Sequence, residues 1–294
     1  MKVLVTGCNG LLGQNLLRAA GATGMELAGM GIEPEPLLSQ QLSGGYQKVD
    51  LGDRAALLSA VEKSKPDFII NAAAMTDVDA CERNPELNDR INRDMVGWLA
   101  GTGIPLVQIS SDYVFDGVAG PYAENAATAP LSRYGRAKLE SEMLALAVSP
   151  LSLVLRTMLL WGRGKGAKKS FTDFVRESLA AGKTVRIVTD QWGNPTLAND
   201  LADAVWALIA GKRAGLYHAA GTDWMSRFDW AVEVAKFYGL DASLIQPAVT
   251  ADLKQDATRP LRSGLICDKL ARDAGVRLRG LREQLAWHRD AGEV

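Results

Sequence analysis

From the first residue to about Arg156, short apolar and β-branched runs alternate with amphipathic stretches of helix length. βαβ units around a parallel sheet produce this pattern, because a strand buried on both faces reads as a continuous apolar run. The runs predict strands at Val3–Thr6, Glu26–Met30, Tyr46–Asp50, Asp67–Asn71, Leu106–Ser110 and Leu153–Arg156. Helices are predicted at Leu11–Ala20, Arg54–Lys63, Pro85–Thr102 (proline in its first turn) and Leu131–Leu146. No run approaches the roughly 18 apolar residues of a membrane span. The first strand opens at Val3, so no signal peptide is expected.

Two intervals break the rhythm, Tyr113–Pro130 and the glycine- and lysine-rich Trp161–Ser170, and both are expected to be loops near a site. Beyond them the pattern predicts a helix to about Ala181, a strand at Thr184–Val188, a helix at Asn199–Ala210 and a strand at Gly215–Ala219. The remainder shows helical pieces at Arg227–Tyr238 and Leu281–Arg289. The division expected is a sheet domain over residues 1–156, with 193–220 returning to it, and a smaller, mostly helical lobe from 157–192 and 221–294.

Composition narrows the function classes. With 294 residues, 47% hydrophobic, and a net charge of −1, the chain can bury a full core and has no electrostatic case for nucleic acid or an anionic membrane. Three cysteines, Cys8, Cys81 and Cys267, lack metal-ligand spacing and are too few for a disulfide framework, which fits a reducing cytoplasm. His218 and His288 lie far apart in sequence, so neither a metal cluster nor a Ser-His-Asp hydrolase is expected.

The segment KVLVTGCNGLLGQNLL sets Gly7, Gly10 and Gly13 between the first strand and the first helix. Gly7 suits the tight turn, Gly10 a close backbone approach to a pyrophosphate, and Gly13 close packing of helix on sheet. Asn9, Leu11 and Leu12 belong to the same turn. The fold expected is therefore α/β, a Rossmann-type doubly wound parallel sheet with a C-terminal substrate lobe. The second strand ends Ala28-Gly29-Met30-Gly31, without the acid that usually binds the ribose 2′-hydroxyl; the nearest is Glu33. No Lys or Arg lies between Arg18 and Lys48 to meet a 2′-phosphate. NAD and NADP both stay open, with a slight lean to NADPH. Asp50 and Leu51, after the third strand, are candidates for the adenine.

Tyr134 and Lys138 are four residues apart in SRYGRAKLESE and so share one helix face. A phenol has a pKa of about 10, and lowering it by two to three units takes about 3 to 4 kcal/mol from a nearby cation such as Lys138. Ser111 closes the strand LVQISSDY at the carboxyl edge of the sheet, where ligands of open α/β folds bind.

These residues resemble the extended short-chain dehydrogenase/reductase family, whose signature is TGxxGxxG, an NAAA-like strand end, and Ser/Thr with YxxxK. Thr6–Gly13, then Asn71, Ala72, Ala73 and Ala74, then Ser111, Tyr134 and Lys138 match it in turn. Within the family the resemblance is to the dTDP-4-dehydrorhamnose reductase branch, through AAAMTDVDACE, SSDYVFDG, PLSRYGRAKLESE, LRT, VTDQWGNPT and TRPLRSGL, which together cover essentially the whole chain. It implies hydride transfer from NAD(P)H to the C4 ketone of a sugar nucleotide. Tyr134 would protonate the alkoxide, Lys138 would bind the nicotinamide ribose, and Ser111 would orient the ketone. By the same resemblance Asp112, Tyr113 and Trp161 line the substrate pocket, Thr76 and Val78 lie near the sugar, and Gln191, Asn194 and Arg259 lie on the cofactor or nucleotide side. Two positions depart from the branch: Met75 stands where its histidine is, and Leu159 where an aromatic is expected. Arg163, Lys165, Lys168 and Lys169 form either a diphosphate site or a solvated loop.

A 4,6-dehydratase needs an Asp-Glu pair after the Ser/Thr, and this chain has Asp112-Tyr113, so dehydration is disfavoured. A 4-epimerase stays open, as does a non-catalytic NADP-binding subunit like the β-subunit of methionine adenosyltransferase, which shares ISSDYVFDG. Self-association is left open as well.

Overall fold

The computed structural model describes residues 1–22 and 24–291. Its centre is a seven-stranded sheet containing β1 (Lys2–Thr6), β2 (Glu26–Gly31), β3 (Tyr46–Lys48), β4 (Phe68–Asn71), β5 (Leu106–Ser111), β6 (Leu153–Thr157) and Gly215–His218. Every pairing is parallel, in the order Gly215–His218, β6, β5, β4, β1, β2, β3. From β1 the chain builds outward through β2 and β3, then returns to place β4 on β1's other side. That reversal opens a crevice at the carboxyl ends of β1 and β4.

Alternation along each strand fills a core on each face of the sheet. Val3 and Val5 join Leu16, Leu155, Val205 and Trp206 on one side, while Leu4 joins Ile69, Met95, Leu99 and Val154 on the other. A third cluster, with Trp161, Val175, Trp230 and Leu285, lies among the helices Phe171–Ala180, Arg227–Tyr238 and Leu281–Asp290. The expected sheet strands and major helices are present, with ends shifted by a few residues.

The stretch expected as one helix over Pro85–Thr102 is instead Pro85–Asp89, a π-turn at Arg90–Asp94 and Met95–Ala100. The widened turn carries Asn92, which is buried and grips the Met75 peptide at both ends: its Oδ1 accepts from Met75 N and its Nδ2 donates to Met75 O, each at 3.0 Å. Three further elements had no clear sequence period. They are the helix Val78–Arg83, capped by Asp77, the strand Ile245–Ala248, paired parallel with Val185–Val188, and the helix Asp268–Ala274, ended by Gly275 at φ +67°. Among the described residues no helix is long and apolar enough to cross a membrane.

Candidate active site

A cleft of about 720 Å³ lies at the crevice. Its floor begins at the glycine turn. Gly7 has φ +65°, and a Cβ there would stand 2.9 Å from the Ala73 backbone, while one on Gly13 would collide with the Gly7 carbonyl. Both glycines let β1, the first helix (Leu11–Ala19) and the β4 loop close on one another. Gly10 differs: a Cβ there would meet only the Gly7 carbonyl, at 3.2 Å. No side chain caps the helix that starts at Leu11, and Asn9, Gly10, Leu11 and Leu12 line the cleft. An uncapped helix N-terminus with open space before it suits a pyrophosphate, so these residues fit a dinucleotide.

Asn71, Ala72, Ala73 and Ala74 also line the cleft. A buried polar chain ties this strand end to its neighbours: Thr6 Oγ1 donates to Asn71 Oδ1 at 2.6 Å, and Asn71 Nδ2 to Gln108 Oε1 at 2.7 Å. Gln108 Nε2 continues the chain to the Ile109 carbonyl at 3.0 Å.

Ser111, Tyr134 and Lys138 all face this cleft. Ser111 ends β5, where its hydroxyl donates to Asp112 Oδ1 at 3.0 Å and accepts from Tyr113 N at 3.3 Å. Tyr134 stands in the first turn of the helix Arg133–Leu146, which Ser132 caps through Gly135 N. A Cβ on Gly135 would collide with the Tyr113 carbonyl, so glycine lets the helix seat against the β5 loop. The Tyr134 hydroxyl lies beside that of Ser111, and its ring meets Tyr113 edge-on with centroids 5.5 Å apart. Lys138, one turn further, is buried and donates from Nζ to the Ile109 carbonyl at 2.5 Å.

Burial dominates the site's protonation. It lowers Lys138 to about 8, against the opposing charge of Glu142. Burial also drives Tyr134 upward, with the Ser111 hydroxyl pulling the other way. The expected lowering of this phenol by Lys138 is therefore not found: the ammonium is aimed at the Ile109 carbonyl. Asp112 is raised to about 6 by burial, opposed by the neighbouring Ser263 and Ser111 hydroxyls, of which Ser111 donates to it, and by Arg227. Tyr113 is pushed up to about 12 by burial and the nearby Asp112.

Behind the cleft, Glu142 and Arg156 form a buried two-bond ion pair, Nε to Oε1 at 2.8 Å and Nη2 to Oε2 at 2.6 Å. Ser110 Oγ donates to the same Glu142 Oε1 at 2.5 Å, and Phe115 lies 5.0 Å from the guanidinium. His218 beside Arg156 stays neutral, its pKa lowered to about 3 by burial and the Arg156 charge. This network fixes the helix of Tyr134 and Lys138 to β5 and β6. Reading motifs alone missed Glu142 and Arg156, although Glu142 continues the Tyr134, Lys138 spacing by one further turn.

Thr76, Val78, Asp112, Tyr113 and Trp161 also line the cleft. Trp161 is at the same time fully buried, with Nε1 donating to Gln284 Oε1 at 2.7 Å. Seven expected residues do not line it, two of them Gly7 and Gly13, which serve the packing of the turn instead. Asp50 accepts from Gly52 N in an exposed turn, and Leu51 packs against the sheet core. Gln191 bonds Thr250, and Asn194 is buried with Nδ2 on Gly221 O and Oδ1 accepting from Leu265 N, each at 2.9 Å. Arg259 is paired through both terminal guanidinium nitrogens with Asp79 and lies near Tyr113, so it braces a wall of the cleft from behind. In the lysine loop, Arg163 bonds the His288 carbonyl, while Lys168 and Lys169 face both the cleft and an adjoining cavity of about 630 Å³.

A parallel sheet with a dinucleotide-type turn and a Ser-Tyr-Lys cleft at its switch point defines the class of short-chain dehydrogenase/reductase folds. Within that class the chain belongs to the RmlD substrate binding domain family, whose pattern matches residues 1–291. It is 35% identical to a probable low-salt glycan biosynthesis reductase of Haloferax volcanii, over 97% of this chain and 96% of that protein. It is 33% identical to a dTDP-4-dehydrorhamnose reductase of Mycobacterium tuberculosis, over 97% of this chain and 91% of the relative. The crystal structure of a dTDP-4-dehydrorhamnose reductase from Clostridium acetobutylicum superposes with a TM-score of 0.85 at 30% identity, covering 99% of each chain.

Proposed function

We propose that this chain is an NAD(P)H-dependent reductase of a 4-keto sugar nucleotide, converting dTDP-4-dehydrorhamnose to dTDP-rhamnose. The observation that carries the reading is the convergence of Ser111, Tyr134 and Lys138 in one cleft with the uncapped helix N-terminus at Leu11. Relatives named for this reaction span nearly the whole chain.

Asn9 to Leu12 and Asn71 to Ala74 would hold the dinucleotide, whose reduced nicotinamide supplies hydride when bound. Tyr134 then passes its phenolic proton to the oxygen at C4 as negative charge develops there, and Ser111 hydrogen-bonds the same oxygen. An alkoxide is about as basic as hydroxide, whose conjugate acid has a pKa of about 15.7, so a phenol raised by burial still donates downhill. Lys138, one turn from Tyr134 and lining the same cleft, would hold the nicotinamide ribose. Asp112 accepts from Ser111 and so fixes that hydroxyl's position.

Dehydration fits the cleft poorly. Among the described residues lining it, the carboxylates are Asp112 and Glu33, and Tyr113, at about 12, stays protonated at neutral pH and cannot act as the base at C5. The division we propose follows the sheet, with residues 1–156 and 193–220 holding the dinucleotide and 157–192 with 221–294 holding the sugar nucleotide. The three free cysteines support a reducing cytoplasmic setting.

Label transfer tests the reaction directly. With nicotinamide cofactor deuterated at its transferable position, the product sugar carries deuterium at C4; label absent from C4, or an unreduced epimer as product, overturns the reading.

A further inference from the structure

We infer that Arg227 binds the diphosphate of the sugar nucleotide and so makes that diphosphate a requirement for substrate binding. The inference rests on the reductase reading of the cleft. Such a reductase houses two diphosphates, one from each ligand. The uncapped helix N-terminus at Leu11 suits that of the dinucleotide, and the other needs a receptor of its own.

The charges of the cleft point to one side chain. Six charged residues line it: Glu33, Asp112, Lys138, Lys168, Lys169 and Arg227. Lys138 Nζ is committed to the Ile109 carbonyl, and Lys169 to Glu177. Lys168 is exposed on the loop shared with the adjoining cavity. Arg227 differs from all three. Among the described residues no carboxylate pairs with it, and its guanidinium rests on aromatic faces, 5.2 Å from the Phe171 centroid and 5.7 Å from that of Trp230. Trp230 lines the cleft beside it, with Nε1 buried and without a partner.

This cation is held in place. Arg227 opens the helix Arg227–Tyr238, and its backbone N donates to the Gln191 carbonyl at 2.9 Å. Ser226 caps the same helix, its hydroxyl accepting from Asp229 N at 3.0 Å, so the charge offered here is that of the side chain. The aromatic faces hold a guanidinium without using up its N–H groups, whose planar fork matches phosphoryl oxygens. A cation taken out of water without a counter-ion is costly, and an anionic ligand removes that cost. Burial disfavours the charged form of Arg227, while Tyr113 and Asp112 act the other way. Those two residues directly follow Ser111, so Arg227 lies within electrostatic reach of the reacting end of the cleft. C1 and C4 stand across the ring of a hexopyranose. With C4 held at Ser111 and Tyr134, the diphosphate on C1 is one ring's width away from them.

Calorimetry with dTDP and with thymidine, each added to protein saturated with NADP, reads the assignment without turnover. Wild type binds dTDP about 30-fold or more tightly than thymidine, Arg227→Gln removes most of that difference while thymidine binds as before, and Arg227→Lys recovers part of it. In steady state Arg227→Gln raises KM for dTDP-4-dehydrorhamnose by a similar factor with little change in kcat. Unchanged dTDP affinity in Arg227→Gln overturns the inference and leaves the reductase reading standing. Equal losses for dTDP and thymidine also overturn it, since they mark a merely structural role. Wild type that neither binds dTDP nor oxidises cofactor with the ketosugar overturns the inference together with the reading beneath it. Matched thermal melts verify that the variants are folded.

Discussion

Glu142 holds Arg156 through two hydrogen bonds in the protein interior, and the same carboxylate raises the affinity of Lys138 for its proton. One residue thus links the fold's buried charge to the chemistry of the cleft. Removing the carboxylate leaves a guanidinium uncompensated, so Glu142→Gln lowers stability by about 3 kcal/mol or more. It also lowers the Lys138 pKa further below about 8. Urea titration reads the first effect and the alkaline limb of the pH–rate profile reads the second, which a purely structural role of Glu142 would leave in place.

Activity should be bell-shaped in pH. Lys138, at about 8, is an ammonium below that pH and loses its proton above it, so the rate falls on the alkaline side. Asp112, at about 6, is a carboxylate above that pH and protonates below it, which takes away the acceptor of the Ser111 hydroxyl and lowers the rate on the acid side. Profiles of kcat/KM should show limbs near 6 and 8. Lys138→Arg should shift the alkaline limb upward, and Asp112→Asn should abolish the acid limb.

The glycines of the first turn should separate binding from folding. Gly10→Val adds a side chain on the open side of the turn, so it weakens dinucleotide binding while the melting temperature stays close to wild type. Gly13→Ala drives a methyl group into the Gly7 carbonyl, and such overpacking costs about 1 to 3 kcal/mol. Paired thermal melts and binding isotherms distinguish the two.

Much of this site was legible in the sequence because it is built from local patterns. The glycine triplet lies inside a strand-to-helix junction, Tyr134 and Lys138 share a helix face by spacing, and Ser111 ends an apolar run. What escaped depends on contacts distant in sequence. Glu33 is legible in the sequence as the nearest acid beyond β2, but only the space above Gly31 and the Asn9 amide show that it reaches the cleft. Asn194 carries a recognisable motif, yet both ends of its amide join backbone segments remote in sequence, so its role is to staple loops. Arg259 likewise stands behind Tyr113, held by Asp79. The π-turn at Arg90–Asp94 has no signature of its own, since it follows from the demand of Asn92 to meet the Met75 peptide.

The most direct measurement follows cofactor oxidation by absorbance with dTDP-4-dehydrorhamnose as substrate, for wild type and Tyr134→Phe side by side. Wild type should oxidise the reduced nicotinamide mole for mole with ketone consumed, and the phenylalanine variant should bind cofactor normally while its kcat falls about 10²- to 10⁴-fold. Wild type that binds cofactor but oxidises none, or a Tyr134→Phe variant as fast as wild type, would contradict the account.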